Sequence, residues 1–198
     1  MVSTIYTWAY DFKTKECIYY KILSKEDKTA EVVGFDKDIN VLSYHNPLIP
    51  AEVRDYDGTT YKIIGIKEKA FYNSYLRSVT ISEGVKKIGA YAFHSNLLTS
   101  ITIPSTITSI GKEAFDDNGQ LQFINVAKDN KVYDSRNDCN ALIETATDSL
   151  IIGSNSTVIP DGVKIIGQNA FCDCTGLTSV VIPNSVTTIG DDAFYGCI

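Results

Sequence analysis

The chain has 198 residues, of which 44% are hydrophobic and 21% are charged, a composition typical of soluble globular proteins. Its formal net charge of −6 disfavours a nucleic-acid partner, because such partners require a basic surface that neutralises phosphates. No apolar run reaches the roughly 18 residues of a membrane-spanning helix. Five cysteines are an odd number and do not indicate a complete disulfide framework.

Residues 1–60 carry no repeat and predict an N-terminal β cap. Their strand-like segments are rich in β-branched and aromatic side chains, and Asp57-Gly58 is a strong hairpin-turn signal. An array of repeats needs a cap because its first repeat would otherwise expose an apolar end. The predicted hairpins pair Cys17–Ile22 with Thr29–Val33 and Ala51–Val53 with Thr60–Ile64.

Residues 61–198 are organised by a repeat. Ala-Phe pairs recur at intervals of 22, 22, 56 and 23 residues, and a period in the low twenties is typical of a solenoid, in which each unit buries its apolar face against its neighbours. The aligned copies share the template L-x-x-I-x-I-P-x-x-V-x-x-I-G-x-x-A-F. The pairs end at Phe71, Phe93, Phe115, Phe171 and Phe194.

The template predicts a strand, a turn and a short helix in each repeat. Ile101 and Ile103 are two residues apart and therefore share one face of a strand, which we assign to the core. Gly111 is expected to allow a sharp turn after the second apolar pair. One helical turn or a short helix is expected around each Ala-Phe pair, opposite the strand, with the aromatic ring filling the interior.

The interval between Phe115 and Phe171 contains an irregular repeat at about residues 127–160. Two strand patterns, Ala141–Thr145 and Ser149–Ile152, surround Ala-Thr-Asp. We expect a hairpin here that replaces the Ile-Gly and Ala-Phe part of one repeat. The fold class predicted for the chain is therefore a β-rich α/β repeat solenoid.

The segment Ile182–Cys197, IPNSVTTIGDDAFYGC, resembles the BspA-like class of bacterial leucine-rich repeat proteins. Residues 133–160, YDSRNDCNALIETATDSLIIGSNSTVIP, resemble a variant repeat of such proteins from Bacteroidetes. The resemblance covers about residues 49–198. It implies a right-handed coil with a parallel sheet on its concave side, and proteins that are secreted or attached to the cell surface, some binding host proteins or other bacteria.

The chain itself shows no export signal. Met1–Thr4 is followed by polar and aromatic residues rather than by a basic and then an apolar region. The chain also stops inside a repeat at Gly196–Ile198, which favours a fragment of a longer protein. The chain is therefore either cytosolic or the mature part of a longer precursor, and an extracellular or cell-surface location is expected from the family resemblance alone.

The best candidate for recognition is the outward side of the predicted sheet. If Ile101 and Ile103 point inward, the residues that alternate with them point outward and form a small, neutral, largely hydroxylated surface with one aromatic ring. A sheet face of this kind can bind a protein or glycan, with Phe123 as an anchor. We call this set the outward stripe: Ser78, Thr80, Ser100, Thr102, Phe123, Asn125, Ser156, Val158, Ser179 and Val181.

Other candidate sites have weaker support. Cys174 aligns with Cys197, Asn96, Asn118 and Ser74 in a recurring small polar slot, so a structural role is favoured over a disulfide or a metal site. His45 and His94 are too far apart to form a motif, and His94 is expected at the surface. The loop Asp134–Asp138 could hold calcium, although it lacks the glycine and distal glutamate of an EF-hand.

These patterns predict a non-enzymatic binding module without catalytic, cofactor or metal residues, engaging a protein or glycan partner and serving in adhesion. They predict neither nucleic-acid binding nor membrane insertion. Two alternatives stay open. A structural spacer would present another domain, and a glycan-active enzyme would require a deep pocket that holds two carboxylates.

Overall fold

The structure is a computed structural model that describes residues 10–36 and 46–197. The predicted cap therefore lies partly outside the described residues, as does His45. Within the described part, both predicted hairpins are confirmed. The strands β1 (Phe12–Lys13), β2 (Ile18–Ser24) and β3 (Thr29–Phe35) pair antiparallel in chain order. Two further strands, β5 (Glu52–Arg54) and β6 (Thr60–Ile66), pair antiparallel after the short β4 (Leu48–Ile49).

The cap and the repeats share one sheet. β3 pairs in parallel with β6, and β6 continues in parallel to β8 (Lys87–Ile88) and β10 (Ser109–Ile110). The second apolar pair of each repeat, which the template did not assign to a strand, thus forms a parallel row. Because β6 hydrogen-bonds to both sides, no break in the sheet separates residues before and after residue 60.

The predicted sheet is present only in part. β4 pairs in parallel with β7 (Thr80–Ile81), and β9 (Ser100–Ile103) pairs in parallel with β11 (Phe123–Val126). Ile101 and Ile103 are buried, as their spacing predicts. The corresponding segments at residues 156–159 and 179–182 are not strands, so the expectation of one parallel sheet across all repeats is wrong for the described residues. The right-handed, concave shape stays a prediction.

The irregular repeat contains the expected hairpin. β13 (Leu142–Glu144) pairs antiparallel with β12 (Tyr133–Asp134), across a 3-10 turn at Arg136–Asp138, and with β14 (Ser149–Ile152). β14 then continues in parallel to β15 (Ile165–Ile166) and β16 (Thr188–Ile189). The hairpin therefore supplies, as β14, the first strand of the parallel row that continues into the last repeats.

This hairpin also separates two hydrophobic cores. Leu142 and Ile152 belong to a core that extends from the cap through the first repeats. Their neighbours Ile143 and Leu150 belong to a second core that includes Phe171 and Cys174. Consecutive side chains of a strand point to opposite faces, so Leu142 and Ile143 of β13 face the two cores.

The phenylalanine rings form two stacks. The ring centroids of Phe71 and Phe93 are 5.2 Å apart and those of Phe93 and Phe115 are 5.1 Å apart. Phe171 and Phe194 stack separately, at 5.0 Å. The irregular repeat interrupts the column, and each ring buries its apolar area against a neighbour of its own kind.

The Ala-Phe segments form turns, and the short helices expected there are not found among the described residues. The described residues contain no α-helix, and in each Ala-Phe segment the residues two before and two after the phenylalanine have positive φ. Tyr91 and Ser95, at +56° and +55°, flank Phe93 in this way. A right-handed helix cannot include left-handed residues. The other pairs are Lys69 and Asn73, Glu113 and Asp117, Asn169 and Asp173, and Asp192 and Gly196.

The hydrogen bonds of these turns explain why a helix is excluded. Phe71 N–H donates to the Ala92 carbonyl at 2.8 Å, and Phe93 N–H donates to the Ala114 carbonyl at 2.7 Å. Backbone N–H groups that a helix would use internally therefore join one repeat to the next. Each Ala-Phe turn donates to the next turn and accepts from the preceding one, and the intervening amides close tight turns, as His94 N–H does with the Tyr91 carbonyl at 3.3 Å.

The repeated glycine has a different role from the one expected. No positive φ occurs at Gly89, Gly111 or Gly190. Instead, a Cβ at Gly111 would overlap the Ala90 backbone nitrogen of the preceding repeat, and one at Gly190 would lie 2.5 Å from the Gln168 nitrogen. The glycine therefore permits close approach between repeats.

No helix of the described residues is long and apolar enough to cross a membrane.

Candidate functional site

The outward stripe alternates with the core as its parity predicts. In β9 and β11 the inward residues are buried, while Thr102 and Phe123 are exposed. Phe123 is the aromatic member of the stripe, and 56% of its surface is accessible. Of the ten stripe residues, only Ser78, at the edge beside Asn46, and Ser100 are partly buried.

Strand register brings the central stripe residues together. Phe123 lies directly across from Ser100, and Asn125 lies across from Thr102, at the roughly 4.8 Å spacing of hydrogen-bonded strands. At the edge, Ser78 Oγ donates to Asn46 Oδ1 at 2.9 Å. The result is an aromatic ring with hydroxyl and amide groups beside it on a fixed backbone.

The sequence did not identify one further member of this surface. Leu48 in β4 is paired with Thr80 and is 56% exposed. It occupies the position in Leu48-Ile49-Pro50 that Thr102 occupies before Ile103-Pro104. The Ile-Pro signal was therefore available, although the segment lies within the cap.

The outward stripe is not continuous. The loop 135–140 lies between β11 and residues 156–158: Ser135 Oγ donates to the Ile124 carbonyl at 3.0 Å, and Val158 N–H donates to the Cys139 carbonyl at 3.1 Å. The expectation of one uninterrupted surface is therefore wrong. The irregular repeat contributes an extra segment here that the alignment of repeats could not place.

The stripe thus has two halves. The N-terminal half of the stripe runs from Ser78 to Asn125 and rests on paired strands. The C-terminal half runs from Ser156 to Val181 on irregular backbone, with Val158 and Val181 exposed by 73% and 83%. Ile182, which its parity assigned to the core, is 41% exposed, so inward burial is incomplete in the last repeat.

The Asp134–Asp138 loop is organised by an arginine. The Arg136 guanidinium donates two hydrogen bonds to Asp134 Oδ2, from Nη2 at 2.8 Å and Nε at 3.1 Å, and Nη1 contacts Asp148 at 3.0 Å. These contacts occupy the carboxylate oxygens that a calcium ion would require. Across the described residues, no group of three or more His, Cys, Asp or Glu side chains is arranged to hold a metal ion.

The recurring polar slot is structural, as its alignment predicts. Asn96 Oδ1 accepts from the N–H groups of Ser74 and Leu76, and its Nδ2 donates to the Phe71 and Phe93 carbonyls at 2.9 and 2.8 Å. A buried amide here satisfies backbone groups of two repeats at once. Asn118 repeats the arrangement one unit later.

Cys174 and Cys197, which occupy this slot in the later repeats, are free thiols, and so is Cys172. Burial is the main cause that raises the pKa of Cys174 to about 12. Burial, followed by the hydrogen bond to Asp173, likewise raises the pKa of Cys172 to about 12. Both thiols are therefore protonated at neutral pH, which is the unreactive form.

His94 is less exposed than predicted, because its ring stacks on Tyr72 with the centroids 5.3 Å apart. Its Nδ1 lies 2.7 Å from Ser95 Oγ, and Ser95 Oγ donates to Asp117 at 2.6 Å. Since the serine proton is directed at the aspartate, the histidine is not placed to take it, and the trio is not a nucleophile and base pair.

Besides a groove of about 780 Å³ in the cap, whose lining includes Asp11, Asp55 and Asp57, a smaller cavity contains two carboxylates, those of Glu113 and Asp116. Its volume is about 190 Å³, whereas ligand pockets in proteins typically measure about 300–1,000 Å³. Glu113 is ion-paired with Lys112 at 3.1 Å. The cavity is therefore too small for an oligosaccharide and is not the deep glycosidase pocket that the enzyme alternative requires.

Comparison with known proteins agrees with the repeat architecture. A model of the BspA type leucine-rich repeat region, in six copies, matches residues 59–147 and 151–198. No curated protein matches the chain. Solved structures that are similar come from bacteria, and each TM-score given below is under 0.5, so these likenesses support no further statement about this chain.

A leucine-rich cell surface protein from Faecalibacterium prausnitzii is 22% identical, with 93% of this chain and 73% of that one covered and a TM-score of 0.45. A leucine-rich repeat protein from Eubacterium ventriosum is 19% identical, with 91% and 62% covered and a TM-score of 0.49. The leucine-rich repeat protein of T. pallidum is 16% identical, with 94% and 89% covered and a TM-score of 0.45. On the extent of the family match, the chain belongs to the BspA-type leucine-rich repeat family.

Proposed function

We propose that this chain is a non-enzymatic binding module of a bacterial surface or secreted protein, which engages a protein or glycan in adhesion through the N-terminal half of the outward stripe. The observation that carries the proposal is the exposure of Phe123 on a paired strand. A large exposed aromatic side chain on rigid backbone is a typical anchor of a binding surface.

The surroundings of Phe123 fit this role. Ser100 lies across from it, and Thr102 and Asn125 form the next pair toward the carboxyl ends of the two strands. Hydroxyl and amide groups both donate and accept hydrogen bonds, and they adjoin an apolar ring that can stack on a sugar or fill a pocket of a partner protein. The backbone beneath is fixed by the β9–β11 pairing, so little ordering is required on binding.

The charge of the N-terminal half also bears on the partner. Its six predicted members, Ser78 to Asn125, are uncharged although the whole chain has a net charge of −6. Coulombic attraction is therefore not the basis of binding at this surface, and we expect affinity to depend weakly on salt, in contrast with anion-binding surfaces.

A location outside the cell is part of this proposal. It is supported by the family resemblance in the repeats, which implies secreted or surface-attached proteins. A module of this kind presents its stripe to molecules outside the cell.

The test measures binding of the chain and of Phe123→Ala to immobilised glycans and to immobilised extracellular-matrix and plasma proteins. We expect at least one of these ligands to bind, and F123A to weaken that binding by about tenfold or more, as loss of an aromatic anchor does. The free energy of unfolding should change by less than about 0.5 kcal/mol, because the ring is on the surface.

Tyr56→Ala is the matched control, since Tyr56 is another exposed aromatic residue, 73% accessible, in the cap hairpin, away from the stripe. Y56A should leave the binding unchanged. If F123A and Y56A bind every such ligand as well as the unaltered chain does, the stripe is not the binding surface. If no ligand binds at all, the chain serves as a structural spacer.

A further inference from the structure

The irregular repeat lacks one structural part, the Ala-Phe turn. In the preceding repeats Phe71 and Phe93 donate their N–H groups to the next turn. After Phe115 the chain takes a shorter path: Gly153 N–H donates to the Ala170 carbonyl at 2.6 Å, and a Cβ on Gly153 would overlap the Phe171 ring. Gly153 thus occupies the place that the phenylalanine turn of a regular repeat would fill.

The missing turn leaves a cavity. The volume of about 190 Å³ is bounded by the turn 111–116 on one side and by Gly167 and Gln168 on the other, with Ile151 and Ile152 as an apolar wall. The carbonyls of Lys112 and Ala114 point back to the preceding repeat, where they accept bonds. The N–H groups of Glu113 and Phe115 point forward, and no acceptor for them exists among the described residues.

Asp116 is the unpartnered charge of this cavity. The side chain lines the cavity, and its Oδ2 is shielded from solvent and has no hydrogen-bond partner within the described part of the chain. A buried carboxylate is costly unless it is paired with a cation. Burial is the main cause that raises its pKa to about 7, and the nearby Glu113 and Asp117 raise it further.

The neighbouring charged groups already have partners. Lys112 Nζ lies 3.1 Å from Glu113 Oε1, and His94 Nε2 lies 3.9 Å from Glu113 Oε2. Asp117 accepts the Ser95 hydroxyl. Lys112 lowers the pKa of Asp116 only as a minor influence. Thus no cation of the described residues neutralises Asp116.

We propose that this cavity binds an alkylammonium or guanidinium cation, which pairs with Asp116 while its methylene groups pack against Ile151 and Ile152. The volume exceeds what a single water requires, about 15 Å³, and suits a slender chain with a charged end. Such a cation is supplied either by a free amine or by a lysine or arginine side chain. The cavity shares no residue with the outward stripe, so this site is independent of the proposed function.

The experiment is an NMR titration that follows the backbone amide resonances of the whole chain. The probes are 1,4-diaminobutane, Nα-acetyl-lysine methylamide and, as the uncharged control, Nα-acetyl-norleucine methylamide. We expect shifts confined to residues 111–116, 151–152 and 167–168 with the cationic probes and none with norleucine. Binding by diaminobutane alone identifies a free amine as the source of the cation, and binding by the lysine derivative identifies a side chain.

Two further readouts test the role of Asp116. Affinity for the cation should rise about tenfold from pH 6 to pH 8, because the carboxylate ionises in that interval while the amine stays charged. Asp116→Asn should weaken binding by about tenfold or more, and the adjacent Asp117→Asn should not. Failure of both cationic probes to bind at millimolar concentration, equal binding of norleucine, or unchanged affinity in D116N each overturns the proposal. None of these results depends on Phe123.

Discussion

The regular repeats at residues 66–126 and the irregular repeat at about residues 127–160 solve the same packing problem differently. The regular repeats bury their apolar residues and also pass backbone hydrogen bonds from turn to turn, as from Phe93 to Ala114. The irregular repeat buries apolar residues on both sides, with Leu142 toward one core and Ile143 toward the other. It leaves the N–H groups of Glu113 and Phe115 without an acceptor among the residues that the structure describes.

The difference shows that apolar burial and hydrogen-bond continuity are separable in this fold. A hairpin can replace half of a repeat because burial is not directional and tolerates a new backbone path. Hydrogen bonds are directional, and a repeat that lacks the turn cannot restore them. The interrupted ring stack, the cavity at Asp116 and the divided outward stripe all lie at this one unit.

The close packing of regular repeats is broken most strongly by Gly111→Ala. The new Cβ would overlap the backbone of Ala90, which cannot move aside as a flexible side chain can. We expect a loss of more than about 3 kcal/mol in the free energy of unfolding, measured by urea denaturation.

Gly84→Ala is the control for that experiment. Gly84 has a φ of +103° and open space around its Cβ position, so only the backbone strain of about 1 kcal/mol should appear. Equal losses in G84A and G111A would contradict the conclusion that this glycine serves close approach between repeats.

The next largest effect on stability is expected at the polar slot of the regular repeats. Asn118→Ala removes the acceptor of Leu98 N–H and the donor to the Phe93 and Phe115 carbonyls. Leaving these buried groups unpaired should lower the free energy of unfolding by about 2–3 kcal/mol. The exposed Asn125→Ala, one strand away, should change it by less than about 0.5 kcal/mol. A small effect of N118A would mean that water replaces the amide.

The junction between the regular repeats and the irregular repeat should respond with the opposite sign. The pKa of Asp116 is about 7 in the folded chain against 3.8 as the ordinary value, so its contribution to stability is present below pH 4 and is lost as the pH rises through 7. The variant Asp116→Asn does not ionise, so it does not lose stability as the pH rises. We expect D116N to be more stable than the unaltered chain by about 2 kcal/mol at pH 8, about half of the full linkage value because the group is only partly buried.

Urea denaturation at pH 4 and pH 8 checks this result. The two chains should converge at pH 4, where the carboxyl group is largely neutral in the folded state. Asp117→Asn, which alters an exposed neighbour, should show no such convergence. A D116N chain that is less stable at pH 8 would show that the ionised carboxylate has a partner in solution.

The sequence predicted those features that follow from a two-residue or 22-residue period. The inward position of Ile101, the interior position of Phe93 and the shared slot of Asn96 and Asn118 each repeat in register, so alignment of the copies is enough to locate them. The hairpin of the irregular repeat was also predictable, because two β-branched segments surround a short polar turn.

Features that depend on neighbouring repeats were not predictable in the same way. A helix was expected around Ala-Phe because the segment is short and compact, yet inter-repeat hydrogen bonds take the N–H groups that a helix needs. One signal was available: the residues two after phenylalanine include Asn73, Asp117 and Gly196, types that tolerate positive φ. The loop 135–140 that divides the stripe has no counterpart in other repeats, so alignment could not place it.

The directions of the backbone hydrogen bonds have a consequence for how such chains change by duplication. The Ala-Phe turn of each 22-residue unit donates to the unit after it, whereas the amide of Gly89 or Gly111 donates to the unit before it. Both patterns recur in register, so a whole copied unit fits at any internal junction with its bonds restored. A partial copy does not, and it leaves donors open, as beside Asp116. Gene duplication in register therefore lengthens the array at little cost in stability, whereas an insertion out of register creates a local gap in which a new binding site can evolve.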